Sequence, residues 1–137
     1  MSLQLWCKAF LLLAMILASS PAQADPALAD PAQVNPAQVD PVAAAAEIDH
    51  LIAFIGRSAC IFNRNGDDYD GAAAAQHIAE KYAYYRADIT TAAEFIDLAA
   101  SRSALTGRPY QVRCRGADAM PARNWLLLEL EAYRRKP

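Results

Sequence analysis

The chain has 137 residues, a formal net charge of −2, a pI near 5.6 and 55% hydrophobic residues. That length holds one ordinary domain, and that charge lacks the basic footprint of a nucleic-acid binder.

The first elements read as an address. Lys8, the apolar run from Ala9 to Ala18 and the Ala22-Gln23-Ala24 triplet have the layout of a cleavable secretory signal over residues 1–24. The apolar run is half the ~20 residues that a spanning helix needs, so no membrane span is expected in the mature protein. Cys7 precedes the run and would leave with the signal, which argues against a lipid anchor. The expected location is the bacterial periplasm, or secretion beyond it.

Residues 25–43 repeat every five positions as DPALA, DPAQV, NPAQV and DPVAA, with Pro26, Pro31, Pro36 and Pro41 in register. Evenly spaced X-Pro pairs favour extended chain, so this stretch is expected to be a flexible or semi-rigid spacer. Residues 44–137 then form a single domain.

Within the domain, Ile48, Leu51, Ile52 and Ile55 have helical spacing and point to an amphipathic helix ending near Gly56. Cys60-Ile61-Phe62 is β-prone and enters Asn63-Arg64-Asn65-Gly66, a tight-turn signal. Asp67, Asp68 and Asp70 come next and suit the N-terminus of a second helix through Ile78, Tyr82 and Tyr85. Thr91-Ala92-Ala93-Glu94 is a capping box that opens a third helix with Phe95 and Leu98. Tyr110 to Cys114 alternates like a strand with one wet face, after Gly107 and Pro109. Pro121 opens a last helix through Trp125, Leu126 and Leu130, with Arg134, Arg135 and Lys136 at its negative end. The expected class is α+β, mostly helical, in the order α-β-α-α-β-α, with residues 60–64 and 110–114 paired as a small two-stranded antiparallel ribbon.

Once Cys7 is gone, Cys60 and Cys114 remain, and in an oxidising compartment two thiols at strand ends are expected to form a disulfide. The alternative, Cys60 as a nucleophile with His50 or His77, requires a free thiol and has no CxxC or cysteine-hydrolase context.

Three stretches carry a resemblance: Phe62-Asn63-Arg64-Asn65-Gly66, Thr91 to Asp97, and Ser103-Ala104-Leu105-Thr106-Gly107-Arg108-Pro109-Tyr110. With them, residues from about 47 to 133 resemble the YfeK-like family of small exported proteobacterial proteins, a domain of unknown function. The resemblance implies a leader and a single domain and supplies no mechanism.

No catalytic residue, metal site or cofactor is expected. Placing Asp70-Gly71 at the fifth and sixth positions of a Ca²⁺ loop would put Gly66 and His77 where Asp and Glu are required. His50 and His77 are the two histidines, neither with a second ligand at i+4, so helix-surface or core roles suit them. Charge is polarised: residues 43–97 carry four basic and nine acidic groups, and residues 98–137 carry eight and three. Either the two halves face each other, or the arginines form a ligand surface. The candidate binding surface is Arg64, Asn65, Arg108, Tyr110 and Arg113, since arginine forks suit carboxylate and phosphate. These readings favour a non-catalytic binding or structural module of the cell envelope, with an envelope protein or cell-wall component as partner. The alternative is a small cell-wall hydrolase or hydrolase inhibitor, with Asp67 or Asp68 as acid or base.

Overall fold

The computed structural model describes residues 40–137, so the leader and nearly all of the proline repeat lie outside the described residues. The first helix, α1, spans Pro41–Arg57 and begins inside the stretch read as spacer. Pro41 suits a first helical turn because its missing N–H has no partner to lose there. Asp40 caps the turn by accepting the Val42 N–H at 2.9 Å.

After Cys60, β1 (Ile61–Arg64) turns through Asn65-Gly66 into β2 (Asp67–Tyr69). Asn65 and Gly66 both have positive φ, 56° and 104°, as the tightest hairpin turns require. The three aspartates therefore do not cluster at a helix start as the sequence suggests. Asp67 and Asp68 are strand residues, and Asp70 alone caps α2 (Gly71–Tyr84), accepting the Ala73 N–H at 2.8 Å.

A 3₁₀ turn at Arg86–Asp88 leads to α3 (Ala92–Phe95), whose capping box between Thr91 and Glu94 is present in both directions. The helix continues as a π-turn over Ile96–Ala100. The chain then returns to the sheet as β3 (Gln111–Arg113) and β4 (Met120–Pro121) and ends in α4 (Ala122–Arg134).

The sheet has four antiparallel strands in the order β2-β1-β3-β4, which corrects the two-stranded ribbon. The expected pairing of the two central strands is present, with Phe62 opposite Val112. The missed strands are β2 and β4, at three and two residues, and neither carries a β-branched side chain. A two-stranded ribbon is marginal alone, and the added edges help make it a layer.

One face of this layer buries Phe62 and Val112 against the helices, and α1 supplies Ile48, Leu51 and Ile55 to the same core. Phe95 is fully buried there, and truncating such a side chain typically costs about 3–5 kcal/mol. Cys60 and Cys114 extend the β1–β3 register by one step beyond Ile61 opposite Arg113. Their Cα atoms are 4.2 Å apart and the two are joined by the expected disulfide. No described helix is long and apolar enough to cross a membrane.

Candidate functional site

Strand alternation divides the arginines. Phe62 and Arg64 project from the same face of β1, and Tyr69, opposite Phe62, shares it. Arg113 is opposite Ile61 and so belongs to the other face, where its guanidinium lies 3.6 Å from Asp68. Arg64 and Arg113 therefore do not form one patch. Arg108 is exposed. Asn65 is held by the loop that follows α3: its side-chain N–H donates to Ser103 at 3.3 Å, and its oxygen accepts from Thr106 at 2.7 Å.

The charge polarity is resolved in part by contact between the halves. Arg123 pairs with Asp97 and Arg134 with Glu47, each at 2.6 Å, alongside Arg113 with Asp68. Such exposed pairs contribute about 0–1 kcal/mol each. Arg64 has no carboxylate partner among the described residues.

Arg64 instead faces a cleft of about 250 Å³ between the β1–β2 hairpin and α2. Its Nη2 donates to the Tyr69 hydroxyl at 3.0 Å, and its guanidinium carbon lies 4.6 Å from the centre of that ring. Across the cleft, α2 contributes Ala73, Gln76, His77 and Glu80. The floor is Phe62, Ala74 and Ile78, all buried.

Tyr110, the residue before β3, closes one side with its hydroxyl 3.3 Å from His77 Nε2. Its ring is 5% exposed and its hydroxyl is harder to ionise than usual, because burial disfavours the phenolate. Burial and the charges of Arg64 and Lys81 hold His77 below its ordinary pKa, so the imidazole is neutral near pH 7. Behind Tyr110, the Lys81 ammonium sits 5.3 Å from the ring centre and donates to the Arg102 carbonyl at 2.6 Å. Burial and the neighbouring Arg64 and Arg102 lower its pKa to about 8.

The chemistry of the lining suits recognition of an anion. A guanidinium, a neutral imidazole and a phenol line an apolar-floored cleft, an arrangement that desolvates and orients an anion. Asp68 accepts from Asn63 at 2.8 Å and faces Arg113. Among the described residues, no three of His, Cys, Asp and Glu come together as a metal would need.

Sequence reasoning points to Arg64 and Tyr110, gives His77 a helix-surface or core role and does not single out Lys81. A signal was available: Ala73, His77 and Lys81 are spaced i, i+4, i+8 and form one column on the helix. That column sets a small residue beside a histidine and a lysine, which leaves room next to polar groups.

The other histidine has a packing role. His50 Nε2 lies 2.7 Å from Glu129, and its ring stacks 4.1 Å from Tyr133, joining α1 to α4.

No curated protein and no solved structure matches the chain. A family model does, over residues 42–134, and it attaches neither the YfeK-like nor the proteobacterial assignment that the motifs suggest. By that match the chain belongs to DUF5329, a family of unknown function.

Proposed function

We propose that this protein is an exported, non-catalytic binding module of the cell envelope, and that the cleft between the hairpin and α2 is where it takes an anionic group of its partner. The observation that carries the reading is Arg64, an arginine with no carboxylate partner among the described residues, beside His77 and Tyr110 over an apolar floor. Two features favour export to the periplasm: the signal-like leader, and a disulfide of the kind that persists outside reducing cytosol. The motifs that resemble YfeK-like exported proteins agree with it.

The test is co-sedimentation of the oxidised protein with purified cell-wall sacculi and with vesicles of envelope lipid, at low and high salt. Salt-sensitive capture that Arg64→Glu abolishes and Arg113→Glu preserves is the expected result. Capture that ignores Arg64→Glu in a folded variant, or no capture at any salt, overturns the reading.

A further inference from the structure

The cleft is more selective than a basic patch. At about 250 Å³ it is smaller than the roughly 300–1,000 Å³ of sites for drug-sized molecules, so it admits a short unit. Arg64 uses one of its five N–H donors on Tyr69, which leaves the rest of the fork for an acceptor. Glu80 and Gln76 stand on the α2 wall, and Gln76 donates to Glu80 at 3.3 Å. The carboxylate of Glu80 suits a ligand N–H and repels a second negative charge. The floor of Phe62, Ala74 and Ile78 offers contact to one or two methyl groups and nothing to a hydrated dianion.

We infer that the cleft binds the free carboxylate end of a short peptide unit bearing small apolar side chains, with the carboxylate on Arg64 and His77, the amide N–H toward Glu80, and the methyl groups on Phe62, Ala74 and Ile78. This rests on the proposed function and names its ligand class. A carboxylate beside His77 favours the imidazolium, so binding takes up a proton. The free imidazole titrates below 6.5. Affinity therefore rises as the pH falls from neutrality through that range, until the ligand carboxylate itself protonates.

The experiment follows the ring protons of the two histidines by NMR while N-acetyl-alanyl-alanine is added to the oxidised protein. His50, between α1 and α4, is the internal control. The L,L and D,D forms distinguish protein C-termini from cell-wall stems as the source, and the C-terminal amide and inorganic phosphate are the competing probes. Saturable shifts at His77 and not at His50, with the acid and not the amide, support the inference. Arg64→Gln should then weaken binding about 10-fold to 100-fold. Ala73→Leu, which fills the cleft and removes no charge, should abolish it.

Equal response to the amide or to phosphate overturns the inference, as does binding that both variants preserve. If the peptides shift nothing while Arg64-dependent capture by sacculi or vesicles persists, the ligand class is wrong and the module reading stands. If neither occurs, both fall.

Discussion

The side-chain oxygen of Asn65 accepts a hydrogen bond from the Thr106 hydroxyl at 2.7 Å, across 41 residues of chain. The contact joins two of the three motifs singled out in the sequence and fixes the hairpin that carries Arg64. It also places Asn65 in the framework of the site and not on its binding wall.

Replacing Asn65 by Gly keeps the φ of 56° accessible and removes both side-chain bonds, to Ser103 and Thr106. A loss of about 1–2 kcal/mol is expected in urea unfolding. Asn65→Val should lose about 1–2 kcal/mol more, because a β-branched residue resists the left-handed region. Equal stability of all three proteins would remove the hairpin anchor.

The Cys60–Cys114 bond closes a separation of 54 residues. In the chain-entropy model a loop of that length contributes about 4 kcal/mol. The double variant Cys60→Ala/Cys114→Ala should lose that amount by denaturant titration, and reduction of the unmodified protein should move its midpoint by the same step.

Two glycines on the α1–α2 seam should respond differently to a methyl group. A Cβ on Gly71 would stand 2.8 Å from the Ser58 carbonyl and closer still to that of Ile55, both backbone atoms that cannot turn aside. Gly71→Ala should cost near the top of the roughly 1–3 kcal/mol range for overpacking. A Cβ on Gly56 meets only the Ala75 methyl, at 3.4 Å. Gly56→Ala should be neutral or stabilising by up to about 1 kcal/mol, since alanine is the better helix former. Thermal melts of the pair decide it.

Lys81 should give the protein a pH dependence on the alkaline side. Its folded pKa, about 8, is below the unfolded 10.5, so the unfolded chain holds more protons between the two. Stability therefore rises with pH across that window and carries the full penalty below it. His77, also lowered, adds a second rise below 6.5. The melting temperature should climb from pH 7.5 to 9.5, and Lys81→Met should flatten that climb. An identical slope in the variant would show that Lys81 is solvated.

Much of the scaffold was legible because its signals are local. The Thr91–Glu94 capping box, the spacing of Ile48, Leu51 and Ile55, and the Asn65-Gly66 turn each lie within a few residues, and each is present. The short edge strands were not, since Asp67-Asp68-Tyr69 forms a strand through pairing with β1 and not through its own propensity. The cleft was legible by half. Arg64 and Tyr110 sit in motifs, whereas His77 acquires its role from a tyrosine 33 residues away. The separation of Arg113 from Arg64 required knowing which residues oppose each other across the ladder, because a period of two assigns faces only once register is set.

The pairing of β1 with β3 has a consequence for biogenesis. These central strands are 47 residues apart at their nearest ends, Arg64 and Gln111, with α2 and α3 between them. Neither the sheet nor its covalent lock can form until Cys114 has been delivered alongside Cys60. A chain made from its N-terminus thus stays open and unlinked until residue 114 has followed, and its cleft is assembled only as β3 arrives.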